Sequence, residues 1–304
     1  MIYLIQGPTA SGKTTLAIQV AKHFNTEIVS ADSRQFYREL NIGSAKPSSK
    51  ELNQIKHHFI DNRSLDDPMN VASFESEARI ILNQLIERQG VAVVTGGSTQ
   101  FIDALVYGID QIPVFPSIQQ NLKEELEVHG INYLQSRLKE LDDRAYALID
   151  IQNTRRLMRA LEVVLGTGVS ILTFQNKQRV SSYPIKRFYI QWDRADLYSR
   201  INDRVEEMIH QGLEEEVRLL WPSSHETVHN TVGYKEWDML FKGTSSKKEV
   251  IEKIKQNTRN YAKRQLTWMN QYEDLIPLNP YSRLELIDQV LTFANASNPN
   301  EELK

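Results

Sequence analysis

The sequence predicts an α/β protein: a P-loop-type parallel sheet flanked by helices, interrupted by an inserted all-helical domain. Three observations carry this. Short apolar stretches at 2–6, 27–30 and 91–95 lack polar alternation and are separated by helical spacing, as for strands covered on both faces. The first runs into GPTASGKT, where Gly7, Gly12, Lys13 and Thr14 match G-x-x-x-x-G-K-[ST]. Between the prolines of YGIDQIPVFPS (107–117) and the strand-like RFYIQW (187–192), only helical spacing occurs.

Each element follows from local pattern. After the loop, Leu16, Val20 and Phe24 lie four apart on a helix over 14–24. Residues 27–30 form a second strand that ends at Ala31-Asp32-Ser33-Arg34-Gln35. A helix over 74–89 puts Phe74, Ala78, Ile81, Leu82 and Leu85 on one stripe and stops at Gly90. The third strand, 91–95, closes at Gly96-Gly97. Helical stretches at 122–128, 131–141, 145–151 and 154–165 build the insertion. The domains are therefore 1–111 with 185–304, and 112–184. Beyond the strand at 187–192 lie helices at 196–210, 213–220 and 246–270, and 295–304 reads as a frayed tail.

Composition narrows the function. The absence of cysteine in 304 residues excludes disulfides, thiolate metal sites and a thiol nucleophile. No apolar run approaches the roughly 18 residues of a membrane span, so a cytoplasmic protein with no membrane partner is expected. With a formal net charge of −3, nucleic-acid binding needs a local basic patch. One candidate is 247–264, with seven Lys/Arg against two Glu. There Lys248, Lys255, Arg259 and Lys263 share a helical stripe about 80° wide, opposite Val250, Ile254, Tyr261 and Gln265. The competing reading is an ordinary solvated face. Arg155, Arg156 and Arg159 form a smaller cluster in the insertion.

The phosphate loop carries the clearest chemistry. Backbone N–H groups from Gly7 through Thr9, Ala10, Ser11 and Gly12 converge on an anion at a helix N-terminus. Lys13 adds a charge, and the Thr14 hydroxyl can hold Mg²⁺. The cargo stays open at this point. The strand VAVVT ends without an acid, and the nearest carboxylate at a strand end is Asp32. That residue either caps the turn before Arg34 or works in the crevice at the carboxyl ends of the strands. His225-Glu226-Thr227-Val228-His229 matches H-E-x-x-H but lies in apparent loop, so no metal site is expected there. His57 and His58 alternate across a strand and suit structural roles.

Several segments together resemble the bacterial tRNA dimethylallyltransferases (tRNA isopentenyltransferases). They are GPTASGKTTLA (7–17), IVSADSRQFY (28–37), NIGSAKP (41–47), HHFID (57–61), RRLMRALEV (155–163), RVEEMIHQGLEEEV (204–217), VGYKE (232–236) and NTRNYAKRQLTW (257–268). The resemblance implies transfer of a dimethylallyl group from dimethylallyl diphosphate to N6 of the adenosine 3′ of the anticodon in tRNA. It makes Asp32 the general base and has Ser33, Arg34 and Gln35 hold the flipped adenine. Ser98 contacts substrate, and Arg200 contacts the diphosphate. Arg155, Arg156, Arg159, Lys255, Arg259 and Lys263 grip the RNA, and the enzyme is expected to act as a monomer. At GGSTQF (96–101) the chain departs from the family pattern G-G-T-G-L-Y: Ser98 keeps the hydroxyl, while Thr99 and Gln100 replace a glycine and an apolar residue. The competing readings are prenylation of free AMP or ADP, and a kinase whose loop is an ATP-binding, nucleotide-binding site.

Overall fold

The computed structural model describes residues 1–175, 180–223 and 225–295. Most of the expected tail, 296–304, lies outside them. The elements in chain order are β1 (Ile2–Gln6), α1 (Lys13–His23), β2 (Ile28–Ser30), α2 (Ser49–Leu52), β3 (His57–His58), α3 (Val71–Gln89), β4 (Ala92–Gly96) and α4 (Thr99–Tyr107). Then come α5 (Pro116–Leu141), α6 (Asp143–Leu148) and α7 (Thr154–Thr167). The chain continues with β5 (Ile185–Ile190), α8 (Arg194–His210), α9 (Leu213–Leu220), α10 (Glu226–Asn230), α11 (Asp238–Phe241), α12 (Lys247–Met269), β6 (Leu275–Leu278) and α13 (Leu286–Asn295). It divides into two compact units, one of Met1–Gly108 with Ser181–Lys304 and one of Ile109–Val180.

The first unit is built on a six-stranded sheet in the order β3-β2-β4-β1-β5-β6, parallel at every pairing. Strand alternation sends side chains to two cores. Ile2, Leu4, Ala92 and Val94 join Phe74, Leu82 and Leu105 on one side. Tyr3, Ile5, Val93 and Phe188 join Leu16, Val20 and Val290 on the other. Each such aliphatic or aromatic side chain contributes on the order of 1.5–3 kcal/mol by leaving water. With both faces covered, the strands need no polar alternation, and their carboxyl ends all open at one rim.

The second unit packs α5, α6 and α7 around Leu122, Leu134, Leu138, Leu157, Leu161 and Val164. Gly130, at φ 76° and ψ 176°, breaks α5 into the two stretches visible in the sequence. Glu162, 1 % exposed, pins the unit from within. Its carboxylate accepts from Phe115 N (2.7 Å), Gln119 Nε2 (2.9 Å) and the Arg159 guanidinium.

Candidate active site

Neighbouring strands bring three loops together. β4 lies between β2 and β1, so the exits at Ala31, Gly97 and Gly7 stand side by side. Ala31 N donates to Thr95 O (2.7 Å) and Ser98 N to Ala31 O (3.2 Å), tying the second exit to the third. Gly96 permits this approach, because a Cβ there would stand 2.2 Å from Ala31 O.

The phosphate loop has three carbonyls held by side chains, one of its own and two from α8 and the segment just after β5. Lys13 Nζ donates to Pro8 O (3.4 Å), Arg200 Nε to Ala10 O (2.9 Å) and Trp192 Nε1 to Ser11 O (2.8 Å). Ala10 and Gly12 take positive φ, 63° and 91°, which turns successive N–H groups toward one concavity. Among the described residues no side chain caps α1, which leaves its first-turn amides open to an anion. Two loop amides are already engaged: Thr9 N donates to Gln265 Oε1 (3.1 Å) and Ser11 N to Pro8 O (3.3 Å). The Arg200 guanidinium also lies 4.3 Å over the Trp192 ring, which sets its direction.

Two cavities share Thr9, Lys13, Asp32, Ser44, Ala45 and Arg204 in their walls. One, of about 410 Å³, lies against the phosphate loop and adds Gly12, Thr14, Gln35, Arg200 and Asp203. The other, of about 250 Å³, adds Ser33, Arg34, Val205, Met208, Ile254 and Tyr261. Anion-binding groups line the first, whereas the second is mixed, with Val205, Met208 and Ile254 giving apolar surface beside Arg34, Lys235 and Arg264. Asp32 belongs to both. A larger hollow, about 670 Å³, lies at the amino ends of β2 and β3, away from the phosphate loop.

The electrostatics suit an anion. Removal from water pushes the Lys13 ammonium down to about 8, opposed by the Asp32 charge and reinforced by Arg204. Part of the Lys13 surface stays open, into the cavity beside the loop. Burial likewise depresses the Arg204 pKa against the pull of Asp32 and Glu51. Arg204 Nη1 reaches Thr9 Oγ1 (3.4 Å) and Nη2 reaches Ala45 O (3.2 Å). Burial, then the Asp32 charge, pushes Tyr261 up to about 12.

Asp32 stands in both of the places considered for it. Its Oδ1 accepts from Arg34 N (3.2 Å), closing the turn, while the residue lines both cavities. Ser98 Oγ accepts from Ser33 N (2.9 Å) and donates to Ser33 Oγ (3.0 Å), so this hydroxyl holds the Asp32 turn. Gln35 Nε2 donates to Ser44 O (3.3 Å) and Ala45 O (3.1 Å), fixing the loop opposite. Thr99 and Gln100 open α4, and Gln100 is exposed.

The basic candidates separate. Lys255 is only 12 % exposed and pairs with Glu206 and Glu252, because α12 turns that residue toward α8. Arg259 donates to Asn202 Oδ1 (2.6 Å). Lys263 is exposed. In the second unit Arg159 is engaged with Glu162 and with Ile112 O (3.0 Å), whereas Arg155 and Arg156 are exposed. Thus Lys255 and Arg159 are paired, Lys255 with Glu206 of α8 and Glu252 of its own helix, and Arg159 with Glu162 three residues on in α7.

The H-E-x-x-H stretch is a correction of another kind. Residues Glu226–Asn230 form the short helix α10, not a loop. Its histidines turn to other partners, His225 Nε2 to Asp66 Oδ1 (3.4 Å) and His229 Nε2 to Ser223 O (2.8 Å). His58 contacts Glu27 (2.6 Å) and His57 Nδ1 the Ile55 carbonyl (2.9 Å). Arg204 and Gln265 are among the polar site residues to which sequence reasoning assigned no role. Arg204 had a signal, since it falls four residues after Arg200 on one helix face.

Known proteins resemble this chain over most of its length. The IPP transferase family profile matches residues 35–272. The tRNA dimethylallyltransferase of Christiangramia forsetii is 45% identical over 274 residues, covering 88% of this chain and 89% of that protein. That of Flavobacterium psychrophilum is 41% identical over 286 residues, covering 91% and 93%. The crystal structure of tRNA delta(2)-isopentenylpyrophosphate transferase from Staphylococcus epidermidis is similar at TM-score 0.69 and 34% identity, covering 97% of this chain and 98% of that one. A eukaryotic dimethylallyltransferase structure, at TM-score 0.77 and 23% identity, shares the fold; it covers 97% of this chain and 76% of that one. The chain belongs to the IPP transferase family.

Proposed function

We propose that this protein transfers a dimethylallyl group from dimethylallyl diphosphate to the exocyclic N6 of the adenosine 3′ of the anticodon in tRNA. The observation that carries this reading is Asp32, shared by the cavity against the phosphate loop and the neighbouring one to which Val205, Met208 and Ile254 give apolar surface. The diphosphate lies on the phosphate loop, and the allyl group and adenine meet beside Asp32. As the amine attacks the allylic carbon, a C–N bond forms and the C–O bond to diphosphate breaks. Asp32 takes the amine proton. Negative charge moves onto the leaving diphosphate, where the amides at the start of α1, Lys13, Arg200 and Arg204 receive it. A single such donor is typically worth about 10²–10³ in rate.

The residues fit a magnesium ion. The Thr14 hydroxyl makes no hydrogen bond among the described residues and faces the cavity that Asp32 and Asp203 also line. Mg²⁺ characteristically takes one or two protein oxygens and completes its shell with phosphate oxygens and water. Thr14 would hold it, and it would neutralise diphosphate charge. For tRNA, the exposed Arg155, Arg156 and Lys263 offer cations to the phosphate backbone. Among the described residues no helix is long and apolar enough to cross a membrane. The cytoplasm, where tRNA is modified, is the compartment this reading requires.

The test is transfer of label from dimethylallyl diphosphate to undermodified tRNA by purified protein with Mg²⁺. Label on the adenosine 3′ of the anticodon is expected. Label on AMP alone, or ATP turnover with unlabelled tRNA, would overturn the reading.

A further inference from the structure

Gln265, on α12, joins the two halves of the site through one side-chain amide. Its Oε1 accepts from Thr9 N (3.1 Å) in the phosphate loop, and its Nε2 donates to Gly97 O (2.7 Å) at the exit of β4. The side chain is buried, so water does not replace either bond. Position 97 is shaped around it: a Cβ there would stand 2.4 Å from the Gln265 amide nitrogen. From Gly97 the chain passes directly to Ser98, whose N–H donates to Ala31 O and whose hydroxyl accepts from Ser33 N. Those two bonds bracket Asp32. A short run of hydrogen bonds therefore links the diphosphate cradle to the residue that receives the proton, with Gln265 at its centre.

We propose that Gln265 is a positioning residue that fixes the phosphate loop relative to the Asp32 turn. The donor's allylic carbon and the acceptor amine are thereby held at reacting distance. The proposal rests on the prenyl-transfer reading above. Misplacement by about 1 Å can cost 10²-fold in rate without loss of binding, because bound reactants must meet in an attack geometry. The expected signature is a loss in kcat with KM for both substrates nearly unchanged.

Gln265→Glu separates this role from simple packing. A protonated glutamic acid has the shape of glutamine, can accept from Thr9 N and can donate to Gly97 O. Ionised, it sets a carboxylate against the Gly97 carbonyl, and burial raises the pH at which that happens. We expect the kcat of Gln265→Glu, divided by that of the wild type at each pH, to be near one at pH 5.5. It should fall at least tenfold by pH 8.5, with KM changed less than about threefold. Gln265→Met, which keeps the volume and loses both bonds, should lower kcat about 10²-fold at all pH values. A kcat ratio flat with pH for Gln265→Glu, or an unchanged kcat in Gln265→Met, would overturn the proposal. If the glutamate variant does not fold, Gln265→Met decides alone by the same criterion. A wild-type protein that fails to prenylate tRNA refutes the functional reading. An active wild type with unresponsive variants refutes only the role of Gln265.

Discussion

Replacing Glu216 with alanine should unlock the wall that both cavities share. The Glu216 carboxylate accepts from Asn41 N (3.2 Å), Ile42 N (2.8 Å), Gly43 N (3.1 Å) and Tyr234 Oη (2.6 Å). It thereby fastens the 41–45 loop, which supplies Gly43, Ser44 and Ala45 to the cavities, onto the segment carrying Tyr234. Gly43 lets the two meet, since a Cβ there would stand 2.3 Å from the Tyr234 ring. Burial, then the Glu216 charge, raises the Tyr234 pKa far above the phenol range, so its hydroxyl stays a donor.

The size of the effect follows from what water can reach. Asn41 is exposed and rehydrates, whereas Ile42 and Gly43 are half-buried and Tyr234 is fully buried. Each buried donor left unpaired costs about 1–3 kcal/mol. With two to three such groups, Glu216→Ala should lose about 3–5 kcal/mol, a large part of a typical 5–15 kcal/mol stability. Tyr234→Phe removes a donor without stranding the carboxylate and should cost about 1 kcal/mol. The double variant should fall short of the sum, because the two groups are in contact. Urea unfolding followed by tryptophan fluorescence, to which fully buried Trp237 contributes, measures all three. A Glu216→Ala variant within about 0.5 kcal/mol of the wild type, the range of an unremarkable surface substitution, would refute the reasoning.

Three further outcomes are expected. Because Lys13 is pushed down to about 8 in the free protein, diphosphate affinity should weaken as pH rises through that value. Above it, binding should take up a proton, seen as a calorimetric enthalpy that varies with buffer ionisation; buffer-independent heats at pH 9 would contradict this. Arg155→Ala with Arg156→Ala should weaken tRNA binding and reduce the magnitude of its log–log salt slope by about 1–2, whereas Lys255→Ala, already paired with two glutamates, should change the slope far less. Filter-binding titrations over a salt series test both. Arg159→Ala should act through stability instead, because it removes the cation beside buried Glu162, and a lowered melting temperature is its readout.

How much the sequence reveals depends on distance along the chain. The phosphate loop, Asp32 and the β4 exit are legible because each is a local strand-to-turn signal, and a parallel sheet brings such exits to one rim. Elements at the sheet edges escape reading. β3 is two residues long, and β6 (Leu275–Leu278) contains Pro277, which an edge strand tolerates and a central one does not. Helix α4 is masked because its start follows the turn residues Gly96, Gly97 and Ser98 directly. Polar partners from distant chain positions escape for another reason. Gln265 meets Thr9 across 256 residues, and Glu216 meets Ile42 across 174. The charge stripe of α12 does not show that Lys255 is paired with Glu206, because a helical wheel shows one helix and not its neighbour.

The most direct test of the account is the single-turnover rate of Asp32→Asn on undermodified tRNA, with tRNA affinity measured alongside. Asparagine keeps an oxygen to accept from Arg34 N, so the turn and the cavity walls should stand while the base is lost. The expected result is a rate lower by about 10²–10⁴-fold, with a tRNA dissociation constant close to that of the wild type. An Asp32→Asn protein that transfers the dimethylallyl group at the wild-type rate would contradict the central claim.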